Sequence, residues 1–134
     1  VDRTLTVLDG AGFRLAVGAA PPAVLTSSSP PFAFAGDVPA SATLIGGPVT
    51  DLNVITRRDG FWHRVQRVAA GTYTADAAEC VAVFCIAGEA CITVAGRTMV
   101  LGARDTLVVD PAPATIELRT EPSAATLLVE IGRR

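Results

Sequence analysis

An all-β fold is what this sequence predicts, and three observations carry it. No window long enough for a helix keeps its apolar residues at helical spacing. The apolar runs are short, and 12 Gly and 9 Pro punctuate them as turns punctuate strands. The pattern of the first half also returns in the second, the mark of one β unit used twice.

The elements follow in order. Residues 4–8 alternate Thr with aliphatics, and residues 13–17 read as the next strand; the Asp9-Gly10-Ala11-Gly12 turn between them predicts a hairpin. Residues 18–31 read as loop, broken by Pro21-Pro22 and Pro30-Pro31. Short strands are expected over 32–36, 41–45 and 50–55, and a polar connection over 56–60. In the second half, 62–68 and 71–75 precede a further expected hairpin, 80–86 with 91–95 around Gly88. Strands over 98–101, 106–109, 115–119 and 125–131 complete the chain.

Residues 8–18 lie over 86–96, and Asp51 to Ile55 lie over Leu127 to Ile131. A strand, a Gly turn, a strand ending in Gly and then strands broken by Pro is how a small jelly-roll barrel of the cupin type reads. The expectation is therefore two fused cupin-like barrels, a bicupin, divided as residues 1–60 and 61–134. The second copy has strands upstream of its Gly turn and the first does not. The first barrel thus lacks its N-terminal strands, which either precede Val1 or come from another chain, as in a homodimer.

Composition narrows the function. The 134 residues carry a net charge of −2, which offers no footprint for a nucleic-acid backbone or an anionic membrane. No apolar run reaches the length of a membrane helix. Cys80, Cys85 and Cys91 are an odd number within apolar runs and read as reduced core thiols of a cytoplasmic protein. One histidine, His63, cannot supply a cupin metal site, and the cysteines lack ligand spacing, so no metal and no cofactor are expected.

The segment that points to chemistry is residues 51–55. Period-two geometry puts Asp51, Asn53 and Ile55 on one face and Leu52 and Val54 on the other. The aligned positions of the second copy, Leu127 and Val129, are aliphatic, so the first barrel is expected to hold a polar pocket and the second to be solid. Asn disfavours strand interiors, which makes Asn53 the leading ligand contact. Arg3 and Arg57 are the candidate cations for a carboxylate, with Arg58 near them. Phe34, alternating with Phe32, is the candidate apolar wall.

Asp2-Arg3, the turn at Gly10, the run Pro31-Phe32-Ala33-Phe34-Ala35-Gly36-Asp37 and the stretch from Gly47 through Asp51, Asn53 and Ile55 to Arg57 together resemble the HutD/Ves family. That family shows an acidic-Arg opening, a Pro-Phe-x-Phe-x-Gly-Asp-like segment and a Gly-x-x-x-Asp-Phe-Asn-x-Met-x-Arg stretch. Here Leu52 replaces the aromatic and Ile55 the Met. A further N-terminal stretch of the family pattern is absent from these residues. The resemblance implies a bicupin with a pocket in its first barrel and no established metal. It also implies a sensing or regulatory role in histidine utilisation, with acidic intermediates such as N-formylglutamate as ligands. The reading is a protein that binds a small acidic or polar metabolite. A metal-independent isomerase or hydrolase using Asp51 as general base is the alternative, and a structural module without a pocket is the third.

Overall fold

The computed structural model describes residues 1–113 and 115–134. Among them every regular element is a strand, fourteen in all. The chain divides into two compact units, Val1–Gly60 and Phe61–Arg134.

The first unit holds β1 (Asp2–Asp9), β2 (Phe13–Val17), β3 (Ala23–Leu25), β4 (Phe32–Ala35), β5 (Ala40–Leu44) and β6 (Thr50–Thr56). They form two antiparallel three-stranded sheets, ordered β4-β1-β6 and β3-β2-β5. Leu5 and Val7 of one sheet pack with Phe13, Leu15 and Leu25 of the other.

The second unit holds β7 (Phe61–Val68), β8 (Gly71–Thr74), β9 (Cys80–Ala87), β10 (Ala90–Val94), β11 (Arg97–Leu101), β12 (Thr106–Val109), β13 (Thr115–Thr120) and β14 (Ala125–Arg133). Its antiparallel sheets are four-stranded, β12-β9-β14-β7 and β11-β10-β13-β8. Val81, Val83 and Cys85 face Ile92, Ile116 and Leu118 across its core.

Both expected hairpins are corrected. β1 pairs with β4 and β6, whereas β2 pairs with β3 and β5; β9 and β10 are separated in the same way. Each Gly turn therefore carries the chain from one sheet to the other. The physical reason is burial: both strands of each pair have an apolar face, and packing those faces against each other hides both at once. Gly12 has φ +92° and its Cα lies against the Leu25 carbonyl, so no Cβ fits there. A tight hairpin does occur at β10–β11. Ala95 and Gly96, with φ 49° and 77°, link Val94 to its partner Arg97, as a two-residue type I′ turn requires.

Two further expectations change. The stretch expected as loop contains β3, which buries Leu25 to 5% exposure. Among the described residues the strands of each unit form two sheets that are not hydrogen-bonded round into a closed barrel.

The register corrects the internal alignment by one residue. Val7 faces Asp51 and Leu5 faces Asn53; Cys85 faces Thr126 and Val83 faces Leu128. With β1 matched to β9, the counterparts of Asp51, Asn53 and Ile55 are Thr126, Leu128 and Glu130. Leu127 and Val129, though buried, lie on the opposite face. A one-residue slip reverses every side chain of a strand, and letters alone did not fix it.

Candidate functional site

In the first unit a cavity of about 300 Å³ is lined by inward residues of both sheets, among them Arg3, Leu5, Phe13, Phe34, Leu44 and Asp51. Strand alternation puts Arg3 on the same face of β1 as Leu5 and Val7, so its stem follows core side chains. Its neighbours in register are Phe34 on β4 and Ile55 on β6. The guanidinium stands over the Phe34 ring, 5.1 Å from the centroid, in a cation–π arrangement. Phe32 braces Phe34, with centroids 6.1 Å apart.

A polar relay runs from this cation. Arg3 Nη2 donates to Asn53 Oδ1 at 2.6 Å, and Asn53 Nδ2 donates to Asp51 Oδ2 at 2.6 Å. Asn53 is thereby oriented, amide towards the acid and carbonyl towards the base. Arg3 Nε is buried and has no hydrogen-bond partner among the described residues. A buried donor left unmade costs about 1–3 kcal/mol, and an acceptor brought by a ligand would remove that cost.

The structure thus brings together Arg3, Phe34, Asp51 and Asn53. It does not bring Arg57, which follows β6, is exposed and is not among the lining residues. The neighbouring Arg58 is committed elsewhere. Its Nε meets Asp2 at 2.6 Å and its Nη2 meets Asp37 at 2.7 Å, while Nη2 also donates to the Val1 carbonyl at 2.8 Å. Hydrogen bonding to Arg58 holds the Asp37 carboxyl below its usual value, and the same partners push the Arg58 guanidinium up. This cluster ties the start of β1 to the segments after β4 and β6.

The second unit packs an aliphatic core between its sheets, and hollows are present beside that core. Hollows of about 590 and 450 Å³ lie along it. The larger follows turn residues such as Ala69, Ala70 and Pro122. The smaller is lined by Trp62, His63, Arg64, Asp76 and Glu130. Glu130 is 2% exposed, and its Oε2 accepts from Arg64 Nε at 2.7 Å and pairs with Nη2 at 2.6 Å. Sequence reasoning passed over this pair. Its signal was a glutamate inside an aliphatic strand, a position such a residue keeps only when paired. What separates the first-unit cavity is the partnerless donor at its wall.

Burial pushes the thiols of Cys85 and Cys80 up, with Asp105 and Asp110 adding to it. Among the described residues no three His, Cys, Asp or Glu side chains converge as a metal set.

The two antiparallel β units of the chain have a cupin-like fold. A cupin 2 conserved barrel domain protein from Leptotrichia buccalis shares the fold at 9% identity and TM-score 0.56, with 99% of this chain and 74% of that one covered. The HutD family model matches residues 1–128, and the chain belongs to the HutD family. It is similar to HutD from Pseudomonas fluorescens, at 32% identity and TM-score 0.80, covering 99% of this chain and 68% of that one. It is also similar to a conserved protein of unknown function from Pseudomonas aeruginosa, at 27% identity and TM-score 0.86, covering 99% and 72%. No curated protein matches the sequence.

Proposed function

We propose that this chain is a cytoplasmic small-molecule-binding protein of the HutD type. Its first unit takes an acidic metabolite such as N-formylglutamate, in a sensing or regulatory role in histidine utilisation. In fold terms the proposal makes the chain a bicupin whose first barrel lacks its N-terminal strands. The observation that carries the ligand reading is the Arg3 guanidinium, held over Phe34 at the wall of a cavity with its Nε unpartnered. Arginine grips a carboxylate through two N–H groups at once, and the Asn53 amide beside it suits a formyl or amide group.

Family membership supports the link to histidine utilisation. Asp51 is engaged by the Asn53 amide, an arrangement suited to holding a ligand rather than to taking a proton from it.

Titration calorimetry with N-formylglutamate, glutamate, urocanate and histidine tests the proposal. Saturable binding of an acidic member that is lost in Arg3→Met is the expected result. No heat from any of the four, or full binding by the variant, would remove the site.

A further inference from the structure

The first six strands repeat as a frame in the second unit. The order β4-β1-β6 matches β12-β9-β14, and β3-β2-β5 matches β11-β10-β13. One rung of that frame carries charge in both units, with opposite sign. In the first unit it pairs Arg3 of β1 with Ile55 of β6; in the second it pairs Val81 of β9 with Glu130 of β14. Alternation turns Glu130 to the same face as the core residue Leu128, and Glu130 lines the hollow of about 450 Å³.

A buried carboxylate is costly unless its oxygens are partnered. Both contacts from Arg64 fall on Glu130 Oε2, from Nε at 2.7 Å and Nη2 at 2.6 Å. Oε1 takes no hydrogen bond among the described residues, and it is not sealed from the hollow. The same hollow is lined by Thr74, which ends β8, and by Asp76 just beyond it. Asp76 is exposed and forms no ion pair among the described residues. Trp62, on the same face of β7 as Arg64, supplies an aromatic wall. Its indole crosses Gly132, where a Cβ would come within 2.6 Å of the ring atoms, so that glycine fixes the ring's place. The charged groups of the lining are thus two carboxylates and one guanidinium, with the imidazole of His63 beside them. The guanidinium is already engaged by Glu130, which leaves Asp76 without a counter-charge.

We propose that this hollow is a second small-molecule site, one that takes the ammonium group of an organic amine. An ammonium has three N–H donors and no acceptor. Glu130 Oε1, the Asp76 carboxylate and the Thr74 hydroxyl are acceptors on one wall, and the Trp62 ring face suits a cation. Arg64 holds Oε2 and so fixes the direction in which Oε1 is offered. The two units then select ligands of opposite charge, a carboxylate at Arg3 and an ammonium at Glu130. The inference does not rest on the ligand of the first unit.

Trp62 is the only tryptophan of the chain, so its fluorescence reports on this hollow and not on the Arg3 cavity. Titration with n-butylammonium chloride, L-norvaline and sodium butyrate tests the proposal. A saturable change with an ammonium compound and none with butyrate is the expected result. The order of norvaline and butylammonium distinguishes an amino acid from a simple amine, and either order supports an ammonium site. Asp76→Asn removes an exposed charge and should raise Kd about tenfold or more. Glu130→Gln, which keeps an oxygen for Arg64, should weaken binding likewise. Arg3→Met should leave this titration unchanged while abolishing the heat of the acidic metabolite. No saturation with either ammonium compound overturns the proposal, as does an equal response to butyrate. Full affinity in both Asp76→Asn and Glu130→Gln overturns it too, and loss in Arg3→Met would move the binding to the first unit.

Discussion

The two units share a six-strand frame and differ in what the frame encloses. Across from Val83 the second unit places Leu128, 4% exposed within a continuous aliphatic core. Across from Leu5, at the matched position, the first unit places exposed Asn53, tied to Arg3 and Asp51. The comparison teaches that one backbone frame tolerates either an apolar plug or a polar relay. Interior positions must carry apolar or paired groups; Leu128 meets that requirement by burial and Asn53 by its bonds to Arg3 and Asp51.

The comparison breaks most readily at Leu128. Leu128→Ala should cost about 2–5 kcal/mol, because a filled core cannot collapse onto the space. Urea unfolding monitored through Trp62, which lies in the same unit, would report it. A loss below about 1 kcal/mol would mean that the second core is no better packed than the first.

Next comes the ion pair of Glu130, whose matched position in the first unit holds Ile55. Arg64→Leu leaves Glu130 buried without its cation and should cost about 1–3 kcal/mol, less than a fully buried pair because Arg64 reaches solvent. The double variant Arg64→Leu with Glu130→Leu should recover much of that loss. If both variants fall equally, the pair contributes by packing alone.

Asn53→Leu sharpens the contrast from the other side. It copies the residue of the second unit into the first, so stability should stay within about 1 kcal/mol while affinity for an acidic metabolite falls about tenfold or more, roughly 1.4 kcal/mol of binding. A stable variant that binds normally would take Asn53 out of the site. A variant that unfolds would assign the residue to structure.

The smallest effect concerns the cluster around Arg58. The folded value of Asp37 lies below its ordinary 3.8, so its contribution is present above that value and is lost as pH falls through the lowered one. Melting temperatures from about pH 5 down to about pH 3 should drop slightly more steeply for the parent than for Arg58→Gln. Parallel curves would show that Asp37 gains nothing from its partner.

The sequence by itself determined the strands other than β3, the all-β character and the alternation along β6. Strand periodicity is local: alternation at Thr4, Leu5, Thr6 and Val7 or at Asp51, Leu52, Asn53 and Val54 shows the period directly. Two of the cavity's lining residues, Phe34 and Asp51, were legible for the same reason, through alternation along their strands, and Arg3 as a cation near the polar segment in sequence. Only the tertiary structure decided which strands pair. A Gly turn looks alike whether it closes a hairpin or crosses between sheets, and the difference lies in burying two apolar faces at once. The partnership of Arg64 with Glu130 joins residues far apart in sequence. The one-residue offset that puts Leu128, not Leu127 or Val129, opposite the core is set by hydrogen-bond register across β9, and the choice of Arg3 over Arg57 by which cation shares a face with the core. These are long-range pairings, and no window of the chain contains both partners.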